Sequence, residues 1–325
     1  MAVKDQSITD NYAIYCGDCV EVMTDLPDAS VDLTVYSPPF AGLYQYSSDP
    51  RDMSNCIDKD EFFEHYAFCV QQLARITKPG RVSAVHCMDI PLSNAGCDEM
   101  FPLPDEIRRI HKAHGFAYGG MRAIWKEPLM VRNRTMMKSL HHKTLCEDST
   151  KCSIANADFL LMFRRTGENK VPVSHDIGLL DYAGERQPPA EVLGYRGMKG
   201  DQKKNLYSQW CWRNYASSVW MDIRVDRVLP HLEAKDDEDE KHVHPLQLDV
   251  VERACVLWSN PGEVVLTPYM GVGSECYGAI LNSRRAIGVE LKPSYYNQAV
   301  RNLQCVKRQD KEEPLFAAPK DTLMD

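Results

Sequence analysis

No apolar stretch in this chain is long enough to span a bilayer, and no apolar leader core stands near its start. That argues against a helical membrane protein and sets the expectation of a cytoplasmic one. In that compartment the 12 cysteines are expected as reduced thiols. Cys16 and Cys19 form one Cys-x-x-Cys pair, with no second pair to complete a zinc site. His141, His142, Cys146 and Cys152 are metal-ligand residue types, but their spacing matches no standard pattern, so core and surface roles and no metal are expected. There is no internal repeat. Positive charge is also in deficit, with 38 Lys and Arg against 46 Asp and Glu, a net charge of −8. Overall attraction to a polyanion is therefore excluded, and any contact with phosphates must come from local clusters.

What the chain does have is an unusual strand end. The apolar run Val31 to Tyr36 reads as a buried strand and leads directly into Ser37-Pro38-Pro39-Phe40. Two prolines in succession supply no N–H, fix φ near −65° and push each preceding residue to extended geometry. The result is a stiff loop at the carboxyl end of a strand, which is where ligands bind in open α/β sheets. It presents carbonyls, one hydroxyl and one aromatic ring. That set suits a flat ring bearing an amino group, with Ser37 and the Pro38 carbonyl accepting from the amine and Phe40 stacking on the ring. Taken alone, a proline-rich turn is the commoner explanation.

Around this loop the pattern is α/β. Tyr12 to Cys16 predicts a strand and Val20, Val22, Met23 and Leu26 a helix. Asp60 to Thr77 predicts an amphipathic helix stopped by Lys78-Pro79-Gly80, Val82 to Met88 a strand and Leu103 to His114 a helix. Phe116 to Trp125 and Ala157 to Phe163 predict a late antiparallel pair. Residues 126–151 read as a loop rich in cations, including Lys126, Arg132, Arg134, Lys138 and Lys143. Residues 167–220 are weakly periodic and interleave Lys199, Lys203, Lys204 and Arg213 with Tyr207, Trp210 and Trp212. Cations mixed with aromatics suit a nucleic-acid surface and equally a partly buried subdomain. The block Asp236-Asp237-Glu238-Asp239-Glu240 predicts a solvated loop.

A second constellation lies downstream. Residues 263–267 predict a strand, Pro268-Tyr269-Met270-Gly271-Val272-Gly273-Ser274 a glycine turn opening a helix, and Arg285 to Glu290 a strand ending in an acid. Glycines permit a tight turn and close ligand approach, and the helix start offers free N–H groups. The terminal acid suits a ribose diol. The dinucleotide fingerprint lacks its third glycine, so a single nucleoside fits better.

With both motifs in view, the chain resembles the beta-class DNA amino-methyltransferases, which use S-adenosylmethionine. Their hallmarks are an (Asp/Asn/Ser)-Pro-Pro-aromatic catalytic loop and an Asp-Pro-Phe-x-Gly-x-Gly cofactor loop. Here these stand as Ser37 to Phe40 and Thr267 to Gly273, with the catalytic motif first. Gly17-Asp18-Cys19 resembles the segment meeting the cofactor adenine, and His244-Pro245-Leu246-Gln247 the segment at its methionine end. Thr267 and Tyr269 stand where the family has aspartate and phenylalanine, and Ser274-Glu275 where threonines are common. The Tyr-Ser-Pro-Pro-Phe and Trp258 to Glu263 stretches are similar to phage and prophage enzymes of relaxed specificity that methylate adenine N6.

The resemblance implies a Rossmann-like, circularly permuted α/β fold with a mostly parallel seven-stranded sheet. It divides the chain into a catalytic half at 1–165, an inserted target-recognition region at 166–241, a cofactor half at 242–305 and a polar tail at 306–325. It implies Ser37, Pro38, Pro39 and Phe40 as catalytic residues. Asp18, Cys19, Thr267, Pro268, Tyr269, Gly271, Gly273, Ser274 and Glu290 would hold S-adenosylmethionine. Arg132, Arg134, Lys138, Lys143, Lys199, Lys203, Lys204 and Arg213 would contact DNA. The expected reaction is methyl transfer to the exocyclic amine of a base flipped from double-stranded DNA in a bacterial or phage-infected cytoplasm, as in restriction–modification. A homodimer is compatible with it. Adenine N6 is slightly favoured because a purine offers more area for stacking on Phe40, Tyr44 or Tyr46. Cytosine N4, an RNA substrate and an inactive DNA-binding homologue remain as alternatives.

Overall fold

A computed structural model describes residues 3–39, 52–53, 56, 59–94, 97–135, 138–231, 234 and 245–306. The first half contains β1 (Val3–Ile8), β2 (Tyr12–Gly17), α1 (Cys19–Thr24), β3 (Val31–Tyr36), α2 (Lys59–Ile76) and β4 (Thr77–Cys87). A two-stranded ribbon, β5 (Ile90–Asn94) and β6 (Cys97–Phe101), precedes α3 (Leu103–Ala113) and β7 (Phe116–Ile124). Then come α4 (Pro128–Thr135), α5 (His142–Asp148), β8 (Asp158–Arg165), α6 (Ala190–Leu193), α7 (Leu206–Tyr215) and β9 (Val219–Trp220). The last stretch holds α8 (Leu248–Trp258), β10 (Val264–Thr267), α9 (Ser274–Leu281), β11 (Arg285–Glu290) and α10 (Pro293–Gln304).

Nine strands form one sheet in the order β1-β2-β11-β10-β3-β4-β8-β7-β9. The seven from β2 to β7 are the expected sheet, and β1 and the two-residue β9 extend its edges. Neighbours from β2 through β4 pair in parallel, while β8 runs antiparallel to both β4 and β7. From β10 the chain moves to β11, and from β3 to β4, in opposite directions across the sheet. The β10–β3 boundary is therefore a topological switch point, where a crevice opens at the carboxyl ends of the strands.

Helices cover both faces, so the central strands read as continuous apolar runs. Every residue of β3 is buried. Leu33 and Val35 pack with Val250, Ala254, Ala279 and Tyr296 of the α8, α9 and α10 layer. Tyr36 packs with Phe62, Tyr66 and Ile107 of the α2 and α3 layer. The amino ends of the strands are tied by ion pairs. Asp32 takes Lys78 Nζ at 2.6 Å and the Val264 amide at 3.0 Å, and Arg81 joins Asp32 to Glu263. The rigid, ion-paired end thus lies opposite the crevice.

Three features depart from expectation. Lys78-Pro79-Gly80 does not merely stop α2; β4 begins at Thr77, with Gly80 at φ +76° absorbing the change of direction. Residues 126–151 are not an open loop but carry α4 and α5. Lys126, counted there among the phosphate-facing cations, is 6% exposed and paired with Asp158, 2.8 Å away. Residues 40–51, with Phe40, Tyr44 and Tyr46, lie outside the described residues, as do the acidic block at 236–240 and the tail beyond Val306.

Residues 166–231 are mostly irregular yet firmly seated. Leu179, Tyr207, Cys211 and Tyr215 pack against Val256 and Leu257 of α8. Arg253 of α8, wholly buried, donates to the Ala183 carbonyl at 2.7 Å and to Asp222 at 2.9 Å. Its guanidinium lies over the rings of Tyr182, Tyr215 and Trp220. Arg224 and Arg227 close on Asp249, also fully buried. Among the described residues no helix is long and apolar enough to cross a membrane.

Candidate active site

Parallel pairing in register brings five strand ends to one edge. Cys16 stands opposite Glu290, Leu266 opposite Thr34, and Tyr36 opposite Val85. The residues just beyond therefore line a common crevice: Asp18 after β2, Glu290 ending β11, the turn after Thr267, Ser37 after β3 and His86 near the end of β4.

The side of the crevice formed by the glycine turn is made largely of backbone. Gly271 and Gly273 sit at φ +55° and +96°, left-handed geometry that L side chains rarely adopt. Among the described residues a Cβ on Gly271 would meet nothing within 4 Å, so the backbone faces open space there. A Cβ on Gly273 would press on Ala299 of α10 at 3.3 Å. The turn is pinned by Met270 N–H on the Val289 carbonyl at 2.8 Å and Asn302 Nδ2 on the Val272 carbonyl at 2.9 Å. Glu290 accepts the Gly271 amide at 2.8 Å and the Lys292 amide at 2.9 Å. Burial pushes its carboxyl up to about 7, against the pull of these donors. Thr267 Oγ1 and Ser274 Oγ are buried with no hydrogen-bond partner among the described residues, the condition expected where a polar ligand completes the site. Glu275 beside them is buried, which pushes its carboxyl up to about 8.

Asp18 caps α1, accepting the Val20 and Glu21 amides at 2.9 Å each through one oxygen. Cys19 is buried beneath it. Pro268 is buried, and Tyr269 lies 5.9 Å from Tyr36, ring to ring. The set of expected cofactor residues is thus gathered along β2, β10 and β11. An open glycine backbone, two orphaned hydroxyls and an acceptor carboxylate fit a nucleoside carrying a polar tail.

The side of the crevice formed by the proline loop is made of side chains. Ser37 is half-buried and Pro38 buried. Ser37 Oγ lies 2.9 Å from His86 Nδ1, and His86 Nε2 lies 3.1 Å from Asp158 Oδ2. Lys126 Nζ reaches the same Asp158 oxygen at 2.8 Å. Burial alone would raise the Asp158 carboxyl, but the His86 hydrogen bond and the Lys126 charge hold it well below the usual carboxylate range. Sequence reasoning missed that His86, Asp158 and Lys126 meet behind Ser37. A histidine near the carboxyl end of an otherwise apolar strand was the available signal. Phe40 lies outside the described residues.

The expected DNA contacts divide. Lys203 and Lys204 precede α7, and Arg213 lies on it; all three are exposed, as are Lys199 and Trp212. Lys143 on α5 is exposed and meets Glu147 at 3.5 Å, a weak surface pair. Arg132 on α4 donates to His141 Nε2 at 3.0 Å. The side chains of Arg134 and Lys138 lie outside those described. Ala123 pairs with Val219 and Ile124 with Trp220, so the first basic stretch follows β7 and the second precedes its partner strand β9. His142 lies beside Cys146, with Nδ1 3.7 Å from the sulfur.

The family model described as DNA methylase, N6/N4 type, matches residues 31–301. The type II methyltransferase M.BglII of Bacillus subtilis is 24% identical over 88% of this chain and 67% of its own. The DNA adenine methyltransferase YhdJ of Escherichia coli K12 is 23% identical over 91% and 84%. Among solved structures, the PvuII cytosine-N4-specific DNA methyltransferase superposes with a TM-score of 0.60 at 14% identity, covering 96% of this chain and 92% of that one. A Thermus thermophilus protein assigned as a DNA modification methylase, complexed with S-adenosyl-L-methionine, gives 0.59 at 22% identity, covering 92% and 95%. These likenesses identify the fold.

Proposed function

The chain belongs to the N6/N4 DNA methylase family matched over residues 31–301, and from that premise we propose that it transfers a methyl group from S-adenosylmethionine to the exocyclic amine of a base flipped out of double-stranded DNA, with adenine N6 as the target. The observation that carries this reading is the adjacency of the two half-sites across β10 and β3. A nucleoside-shaped backbone cradle faces a hydroxyl acceptor on a proline-stiffened loop.

When bound, the cofactor supplies a methyl already activated by its sulfonium. What remains for the protein is orientation and charge. Gly271, Gly273 and the orphaned Thr267 and Ser274 hydroxyls would hold the polar tail, and Glu290 the ribose diol. The amine's lone pair is delocalised into its ring and makes a poor nucleophile. Hydrogen bonds to Ser37 Oγ and the Pro38 carbonyl would favour a tetrahedral nitrogen and stabilise its developing positive charge. Fixing the amine in line with the methyl supplies much of the remaining rate. Exposed Lys203, Lys204, Arg213 and Trp212 support residues 166–241 as a DNA-facing region. The reaction would take place in the cytoplasm, and the molar mass in solution tests for a homodimer.

The adenine assignment draws support from YhdJ, whose name specifies adenine and which matches most of this chain. The PvuII enzyme, specific for cytosine N4, shares the fold and motivates the other outcome. The test is nucleoside mass spectrometry of plasmid DNA methylated to saturation. N6-methyladenine is expected; N4-methylcytosine alone would overturn the base and keep the reaction class. Ser37→Ala should lower the single-turnover rate about 10²-fold with cofactor affinity unchanged.

A further inference from the structure

A serine hydroxyl can donate or accept, so its presence in the loop does not by itself select an amine. The neighbours of Ser37 remove that freedom. Asp158 is held ionised by its hydrogen bond from His86 and by the Lys126 ammonium beside it, so it can only accept. His86 Nε2, 3.1 Å away, must then carry a proton and donate to it. A neutral imidazole with Nε2–H has a bare Nδ1. That atom lies 2.9 Å from Ser37 Oγ, so the serine must donate to it. Its hydroxyl proton is committed inward, and only lone pairs remain to face the crevice. The three inner side chains are nearly sealed from water, at 12% exposure for His86, 7% for Asp158 and 4% for Lys126.

We propose that His86, oriented by Asp158 and Lys126, commits Ser37 to accept from the target amine and then receives the proton displaced by methylation. The proposal rests on the amino-methyltransferase reading of the same site. As the amine lone pair forms the new N–C bond, displacing a neutral thioether, the nitrogen becomes positive and must lose a proton. That proton passes to Ser37 Oγ while the serine's own proton passes to His86 Nδ1. The electron pair of the broken N–H bond returns to nitrogen. The products are a neutral methylamino group, an unchanged serine and an imidazolium hydrogen-bonded to Asp158, which afterwards releases its proton to solvent. The same geometry selects against carbonyls. A guanine O6 or thymine O4 would meet lone pairs instead of a donor, so His86 is also a specificity-determining residue.

Among the described residues the charged groups along this chain of contacts are Asp158 on β8 and Lys126 beyond β7, with Ser37 at its outer end. Protonating His86 beforehand would turn Nδ1 into a donor and free the serine hydroxyl to point outward. The single-turnover rate should therefore fall at acidic pH along one ionisation.

Two measurements test this. In ¹⁵N-imidazole NMR of the full chain, with His86 assigned by its loss in His86→Asn, the Nε2–H tautomer is expected at neutral pH. An Nδ1–H tautomer would overturn the proposal without any reference to activity. In single-turnover methylation of unmodified plasmid DNA, His86→Asn keeps an acceptor near Nδ1 but cannot take a proton. It should bind S-adenosylmethionine normally, lose about 10²-fold in rate and lose the acid limb of the pH profile. His86→Ala should be slower still, because Ser37 regains rotational freedom. A wild-type rate in either variant, or an acid limb that persists in His86→Asn, would sink the relay. If the wild-type protein transfers no methyl to DNA, the functional reading fails instead, and the tautomer alone then decides the direction of the Ser37 hydrogen bond.

Discussion

The two halves of the crevice are built in opposite ways. The cofactor half, from Val264 to Lys292, is one continuous β–turn–α–β run whose contacts are mainly backbone amides, positive-φ glycines and a carboxylate that clamps its own turn. The catalytic half gathers Ser37, His86, Lys126 and Asp158 from four separate stretches and works through side chains. A backbone cradle needs only local geometry and tolerates drift in its side chains, as Thr267 and Tyr269 show against the family pattern. A side-chain relay fails if one member leaves, because the remaining buried charges lose their partners.

That contrast predicts unequal responses to mutation. The largest should come from Lys126→Met, which leaves the buried Asp158 carboxylate facing His86 alone. Breaking a buried pair in this way costs about 3–5 kcal/mol. Urea unfolding should show the loss, and an unchanged midpoint would mean that the catalytic half does not depend on its ion pair.

A smaller effect belongs to Glu290→Gln, which should weaken S-adenosylmethionine binding by about 1–3 kcal/mol through lost charge-assisted bonds. Its pH dependence carries a definite sign. The free carboxyl is raised to about 7, and diol donors favour its ionised form. Affinity should therefore rise with pH up to about 7 and level off above, with proton release on binding. For the stability of the free protein the expected trend is the reverse. A raised carboxyl stabilises the fold below its unfolded value, and that contribution is lost as pH rises through about 7. Calorimetry in buffers of different ionisation enthalpy reads the released proton, and Glu290→Gln should abolish it. A pH-independent affinity in the wild type would remove Glu290 from the cofactor site.

The smallest effect lies outside both halves. Lys203→Gln and Lys204→Gln should each lower the slope of log K against log salt by about 0.9, with no change in single-turnover rate at saturating DNA. A slope that does not move would leave these residues as solvated surface.

Much of the molecule is legible in its amino-acid order. Strand and helix periodicity place the sheet, and Ser37 to Pro39 and Thr267 to Gly273 lie at its crevice. Other parts are not legible, for identifiable reasons. Residues 126–151 read as a loop because cations obscure the short helices α4 and α5. Lys126 reads as exposed because lysine usually is, whereas its burial depends on Asp158, a partner 32 residues away. Residues 166–231 read as loosely organised because their order comes from Arg253 and Asp249 on α8, beyond the insertion itself.

The α/β class, the proline-stiffened loop and the glycine turn follow from amino-acid order alone, since each depends on backbone preferences acting over a few neighbouring residues. Only the tertiary structure decided that His86, Asp158 and Lys126 stand behind Ser37. Their meeting depends on β4 pairing in parallel with β3 and antiparallel with β8, and strand pairing between distant segments is set by the burial of the whole sheet rather than by any local pattern.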